Sequence, residues 1–339
     1  MTEMPSEVTY EDVRYSILRS DVFRSLGAQD VALLHMHTRW VSRIFSIRVV
    51  FGSGFTKRYW VKLQTDAFKE YDFLKQTHEQ FVEYSGLDVV RPVVYLEDVD
   101  GVVTEHADGV ILSGKIRRRR NRLISLVHRD RGLPEDLYNC GKWLSVLHSN
   151  RLSQEEAFPI KGVLRYIDTR LTRLVEAGTF ESDFAQDVSN FMHAEASDVG
   201  ADDMIRVRTH GDFCPYNVLI SETGISVLDC DAGGYFEELQ NYCPRYDDIV
   251  RFYGFAIKMS QAMISKTARK ELAGDFLRGY NDYTDLEVSV SSPAFRIFQL
   301  KYRVLGVFDV SSTTSQLVGR RGRVAMFRRW FREFISPNA

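Results

Sequence analysis

Long apolar runs are missing from this chain of 339 residues. None approaches the ~20 residues that a helix needs to cross a bilayer. Cysteine is scarce: Cys140, Cys214, Cys230 and Cys243 are all there is, and no two form a C-x-x-C pair. Four thiols cannot staple a chain of this length, so a disulfide framework is excluded and a reducing, cytoplasmic setting is expected. An excess of either charge is also lacking. The formal net charge is −2, which removes the global argument for nucleic acid as a partner. No internal repeat and no low-complexity linker occurs. The opening MTEMPSEVTYEDV is polar and acidic, unlike a secretory signal. What remains is an ordinary globular composition, 44% hydrophobic and 27% charged, in a chain long enough for one large domain or two smaller ones.

The periodicity changes character along the chain. Residues 41–51 and 57–63 are rich in β-branched and aromatic side chains and flank the turn signal GSGFT, which predicts a hairpin. A helix is expected over 66–81, with Asp66 as its N-cap and Phe68, Tyr71 and Leu74 at helical spacing. Two further strands are expected at 89–96 and 101–106. Beyond residues 107–109 the pattern becomes helical. Leu137, Cys140, Leu144 and Leu147 share one face. Leu164, Ile167, Leu171, Leu174 and Val175 share another, with Gly178 as the stop. The expectation is an α+β chain of two closely packed lobes. A small β-rich lobe covers 1–107, with a helical extension to about residue 38, and a larger, mainly helical lobe covers 108–339.

Chemistry concentrates in THGDFCPYNVLI, where His210, Asp212 and Asn217 fall within eight residues just before an apolar run. NVLI and the following ISVLDC read as two short strands around the turn 221–224. Such a hairpin brings Asn217 and Asp229 close together at its open end, with Asp212 on the loop beside them. Two carboxylates and a carboxamide at one point are hard oxygen ligands that suit Mg²⁺, and a remaining aspartate can accept a proton from an attacking hydroxyl.

The pattern H-G-D-x-x-x-x-N, followed seventeen residues after its aspartate by another aspartate that ends an apolar strand, resembles the aminoglycoside phosphotransferase/choline kinase superfamily. That family has a two-lobed, protein-kinase-like fold. The resemblance implies Asp212 as catalytic base, Asn217 and Asp229 as ligands of Mg²⁺, His210 as a brace of the loop, and Asp248 in DDIVRF as its buttress. Asp231 stands near the metal as a supporting acid. Lys62 in YWVKL matches the lysine that meets the nucleotide phosphates, with Glu70 as its carboxylate partner. Backbone groups of Glu105, His106 and Ala107 would hold the nucleobase. The implied activity is transfer of the γ-phosphoryl of ATP or GTP to a hydroxyl of a small acceptor. A sugar or sugar-containing compound is favoured, with amino alcohols and aminoglycosides as alternatives. One feature departs from the family: where its phosphate-covering loop precedes the strand at 41–51, this chain reads MHTRWVS, without glycine.

Other readings stay open from sequence. The chain could be a kinase-like binding module without catalysis, or a hydrolase with His210, Asp212, Asp229 and Asp231 as metal ligands. KIRRRRNR (residues 115–122) and the C-terminal RRGRVAMFRRWFREF are basic. The second is amphipathic, with Val324, Phe327, Phe331 and Phe334 on one face. It is expected to dock on the protein's own core, or else to lie at the inner, anionic face of a membrane. Glu237, Glu238, Asp247 and Asp248 are candidates for receiving a cationic acceptor.

Overall fold

A computed structural model describes residues 8–38, 42–120, 132–153, 156–230, 242–260, 266–313 and 317–335. The first helix, α1 (Tyr10–Arg19), starts on a capping box in which Thr9 and Asp12 satisfy each other's backbone. Ser20 ends it and caps the short α2 (Asp21–Ser25). The helical extension expected to about residue 38 stops there. Gly27 takes φ +75, which no helix continues through, and residues 28–38 form a strand, β1 (Ala28–Thr38). The run ALLHM favours a helix locally, but the antiparallel ladder to β2 (Ser42–Phe51), with Val31 opposite Val49 and His37 opposite Ile44, overrides that preference.

Strand β3 (Thr56–Gln64) completes the expected hairpin. With β5 (Pro92–Leu96) and β6 (Gly101–Glu105) it builds an antiparallel sheet in the order β1-β2-β3-β6-β5. Alternation sorts the two faces. Phe45, Ile47, Val61, Leu63 and Val103 pack with Val13, Ile17 and Phe23 from the N-terminal helices. Lys62, between Val61 and Leu63, and Val102, next to Val103, project to the opposite face. Helix α3 (Ala67–Phe81) lies on that side.

Two details of α3 differ from expectation. Asp66 does not cap it with its side chain. The carboxylate of Asp100 accepts from the N–H groups of Asp66 and Ala67, both at 3.1 Å. The buried stripe is Ala67, Glu70, Phe73, Leu74, Thr77 and Phe81, whereas Phe68 is 55% exposed. A carboxylate occupies the core-facing position that hydrophobicity alone gives to an aromatic ring. The expected strand at 89–96 is two strands in different sheets. β4 (Leu87–Val89) pairs parallel with β10 (Gly224–Val227), while β5 starts at Pro92. Pro92 has no N–H with which to continue the first ladder, so it stands where the chain leaves one sheet and enters the next as the first residue of β5.

The second lobe starts with β7 (Val110–Ile111) and α4 (Leu112–Arg120). Three helices follow: α5 (Leu133–His148), α6 (Ile160–Glu176) and α7 (Ser182–Ala196). Then come β8 (Arg206–Arg208), β9 (Val218–Ser221), β10 and β11 (Tyr242–Pro244). The helices α8 (Tyr246–Ser260), α9 (Lys266–Asn281), α10 (Pro293–Thr313) and α11 (Leu317–Ile335) complete it. The predicted apolar faces of α5 and α6 are buried, apart from Val175, which is half-buried at the end of α6. Gly178, at φ +61, ends α6 with Thr179 N–H donating 2.8 Å to the Leu174 carbonyl. α11 docks on its own core: Phe327 and Phe331 are buried and meet Phe180, Phe184 and Phe191 at ring distances of 5.4–5.8 Å.

Helices α5 and α9 cross at glycines. A Cβ on Gly141 would stand 2.0 Å from the carbonyl oxygen of Phe276, and one on Gly279 would stand 2.0 Å from that of Tyr138. Alanine gains up to about 1 kcal/mol of helix propensity over glycine, but forcing two backbones apart costs more, about 1–3 kcal/mol. Gly141→Ala is therefore expected to lower the urea midpoint. An unchanged or raised midpoint would mean that the helices slide apart at no cost.

Candidate active site

β4 carries the strand pair β9–β10 against α3, so the loop before β9 and the residues after β10 open toward the face of the first sheet that bears Lys62. Three charged groups meet there. Lys62 Nζ lies 2.9 Å from Glu70 Oε2 and is also bonded to Asp229 Oδ1. Gln64 Nε2 donates to the same Glu70 oxygen at 2.6 Å. Lys62 and Glu70 are eight residues apart, and the turn at 64–66 folds the helix back so that its first turn faces the strand. Burial pushes the Lys62 ammonium down, but the carboxylates of Glu70 and Asp229 outweigh it and hold it above its ordinary value. This cation stays charged. Asp229 itself sits at φ 54, a left-handed conformation that aspartate tolerates better than most side chains.

Asn217 and Asp229 occupy the two strand ends, joined where Leu228 N–H donates 2.8 Å to the Asn217 carbonyl. Asn217 Nδ2 donates to both the backbone oxygen and Oδ2 of Asp212, at 3.0 and 2.9 Å. Its carboxamide oxygen therefore faces away from Asp212. The other carboxylate oxygen of Asp212 takes an ion pair from Arg251 on α8.

Below the loop, Asp248 accepts from the N–H groups of His210 at 2.6 Å and Gly211 at 3.0 Å, and from His148 Nε2 at 3.4 Å. Gly211, at φ +81, allows the turn that points both amides at it. His210 Nε2 donates 2.9 Å to the Leu228 carbonyl, and its Nδ1 accepts from Asp212 N–H at 3.2 Å. Both ring nitrogens are thus spoken for. The rings of Phe73, Trp143 and Phe213 enclose this imidazole.

Burial holds both His148 and His210 below the ordinary histidine value. These depressed values make folding stability depend on pH. The unfolded chain takes up protons on both rings below about pH 6.5, and the folded chain takes them up only at lower pH. Folding stability from this source is complete above pH 6.5. It falls with acidification by up to about 1.4 kcal/mol per pH unit for each ring. Melting measured from pH 7.5 to 5 should show that decline, and His148→Gln should flatten it; an equal slope in the variant would remove His148 from the account.

At the edge of the first lobe, Glu105 N–H donates to the Arg91 carbonyl at 2.9 Å and His106 N–H to that of Arg58 at 3.2 Å. The His106 ring accepts from Trp60 Nε1 at 2.9 Å. Of the three residues expected at the nucleobase, Ala107 is the one whose N–H makes no backbone bond among the described residues. Asp231, Glu237 and Glu238 lie outside the described residues. Asp247 and Asp248 do not face an acceptor. Both are buried, Asp247 against Lys301 and Tyr302 and Asp248 under the loop. Burial pushes the Cys214 thiol up to about 11 and that of Cys243 up to about 12, so both remain protonated packing groups.

Sequence reasoning missed His148 and Arg251. A signal for the second existed: Arg251 follows Asp248 by three residues on one helix, so an aspartate aimed at the loop brings the arginine to the same face one turn on.

No family model and no curated protein matches the chain. Solved structures do. A choline/ethanolamine kinase family protein from Mesorhizobium loti aligns over 97% of this chain and 95% of its own, with a TM-score of 0.55 at 11% identity. The ADP-bound aminoglycoside phosphotransferase APH(2'')-Ib aligns over 91% and 97%, with a TM-score of 0.52 at 14% identity. The macrolide 2'-phosphotransferase type I aligns over 96% and 99%, with a TM-score of 0.51 at 10% identity. The chain thus shares the two-lobed α+β fold of these solved phosphotransferases and kinases.

Proposed function

We propose that the protein is a small-molecule kinase that moves the γ-phosphoryl of a magnesium nucleoside triphosphate to a hydroxyl of a small acceptor. The observation that carries this reading is the convergence of Lys62, Glu70 and Asp229 across the lobes with the Asp212–Asn217 pair beside them. Lys62, already positioned by two carboxylates, supplies a fixed positive charge for phosphate oxygens. Asp212 orients the acceptor hydroxyl and takes its proton as the new O–P bond forms and the nucleoside diphosphate leaves. With little covalent chemistry for the protein to perform, placement and fixed charge carry the rate.

The donor set fits a hard cation. The Asn217 carboxamide oxygen, turned away from Asp212, and the Asp229 carboxylate are the groups that would hold Mg²⁺, which would neutralise charge on the phosphates. Asp231 remains a proposed supporting acid. The nucleobase would lie against 105–107, with Ala107 N–H as the proposed donor to it. The described residues do not favour the hydrolase reading, because both nitrogens of His210 already hold protein partners. No described helix is long and apolar enough to cross a membrane. Phe327 and Phe331 of α11 are buried, so among the described residues of that helix a membrane-surface role would rest mainly on exposed basic groups such as Arg323, Arg329 and Arg332. Equal sedimentation with neutral and anionic vesicles would end it.

Thermal unfolding tests the nucleotide site without knowledge of the acceptor. ATP or GTP with Mg²⁺ should raise the melting temperature of the wild type, equivalent to about 2.7 kcal/mol at a hundredfold excess over Kd. Asp229→Ala should abolish the shift. No shift with either nucleotide in the wild type would leave a kinase-like module without catalysis as the better reading.

A further inference from the structure

We infer that the acceptor is a hydroxylated acid, carrying a carboxylate or phosphate near the reacting hydroxyl, and that Arg117 and Arg251 receive that negative charge. The inference rests on the kinase reading and adds the substrate class.

The two oxygens of Asp212 face different sides of the site. Oδ2 is turned to Asn217 and hence toward Asp229 and Lys62, the proposed phosphate side. Oδ1 is turned to Arg251, so Arg251 stands where an approaching hydroxyl must enter. Phe255 follows one turn later on the same helix and meets the edge of Tyr216 at 6.0 Å. Tyr216 belongs to the loop itself and is 41% exposed. Its hydroxyl takes a 2.6 Å bond from Arg117 Nη2, whose guanidinium also stands 5.3 Å from the ring centre. Helix α4, which bears Arg117, is tied to the loop where Ser113 N–H donates 2.8 Å to the Pro215 carbonyl. Arg251, Phe255, Tyr216 and Arg117 thus form one continuous wall beside Asp212.

The charge on that wall is selective. Among the described residues, the two acids proposed for a cation are turned inward: Asp247 pairs with buried Lys301, and Asp248 is enclosed under the loop. A cationic acceptor would meet two guanidinium groups and would have to displace Arg251 from Asp212. An anionic acceptor would share Arg251 with Asp212 and find planar, two-pronged donors suited to carboxylate or phosphate.

The test uses matched panels with MgATP or MgGTP, whichever shifts the melting temperature. Glycerol, glycerate and glycerol 3-phosphate form one panel. Glucose, glucuronate, glucose 6-phosphate and glucosamine form another, with choline as a further cation. Nucleoside diphosphate release and melting in the presence of the diphosphate are both read. Anionic members should be preferred over their neutral partners, with KM lower by about tenfold or more, as loss of one charged hydrogen bond implies. The carboxylate and phosphate arms show which anion is used. Exposed Arg117→Gln should raise KM for the anionic acceptor about tenfold with kcat within a few-fold, and Arg251→Lys should retain more activity than Arg251→Gln. The inference is overturned by preference for a neutral or cationic member, by an unmoved KM in Arg117→Gln, or by no response to any anionic member. A retained nucleotide shift in those samples confines the failure to the acceptor class, whereas its absence brings down the kinase reading too.

Discussion

Asp212→Asn is expected to leave the fold and the nucleotide-dependent melting shift nearly intact and to lower turnover by about 10²–10⁴. The substitution keeps the size of a side chain that is only partly buried. The new amide can still present its oxygen to Asn217 Nδ2, which donates to Asp212 at 2.9 Å. It cannot take a proton from a hydroxyl, and it cannot hold Arg251 as an ion pair. Turnover with the best wild-type acceptor is the readout. A variant within a few-fold of the wild type would remove Asp212 as base. A variant that also loses the melting shift would show that the aspartate acts on nucleotide binding instead. Arg251→Gln separates the two contacts, since it removes the ion pair and keeps the proton acceptor. Its turnover should stand between those of the wild type and Asp212→Asn.

Local chemistry was legible in the sequence, and charge placed by tertiary packing was not. The strands around the turn at 221–224 follow from a short alternation, so the closeness of Asn217 and Asp229 could be drawn before the fold was known. Glu70 came from the resemblance, as a carboxylate on the helix after the lysine strand, and the short spacing that counted against it is bridged by a turn that brings Glu70 to 2.9 Å from Lys62. The misreadings share one cause. On α3, hydrophobicity put Phe68 on the core face, but a buried Glu70 bonded to Lys62 and Gln64 holds that face. Along 28–38 local propensity favoured helix, yet the partner strand β2 decided the conformation. The resemblance gave Asp248 its place under the loop, but the pair Asp247–Asp248 also reads as a patch open to a cation, because nothing near it in sequence reveals Lys301, 54 residues from Asp247, or His148, 100 residues from Asp248. Arg117 likewise sits in a basic run that reads equally as a solvated face or as a patch for an anion, and only the fold shows it reaching Tyr216, 99 residues on.

Asp248→Ala is expected to be the most damaging substitution for stability, costing on the order of 4 kcal/mol. Its carboxylate is 1% exposed and accepts three bonds: two from backbone amides of the candidate catalytic loop and one from His148. Burial pushes Asp248 up, but the bond and charge of His148, with His210, outweigh it and hold it below the usual carboxylate value. Its contribution is therefore complete above about pH 4, where the unfolded group titrates, and is lost as pH falls through the lower folded value. Alanine leaves the amides of His210 and Gly211 buried without their acceptor, and each such donor costs about 1–3 kcal/mol. The loop that carries Asp212 then loses the anchor that sets its height below the phosphates, so turnover should fall along with stability. Asp248→Asn distinguishes anchor from charge. Its oxygen can serve one amide, but its NH₂ must face a donor, so it should recover part of the stability and less of the turnover. Urea unfolding gives the first quantity and acceptor-dependent diphosphate release the second. A loss under about 1 kcal/mol in Asp248→Ala would mean that the loop is held by the aromatic cage around His210 rather than by this carboxylate.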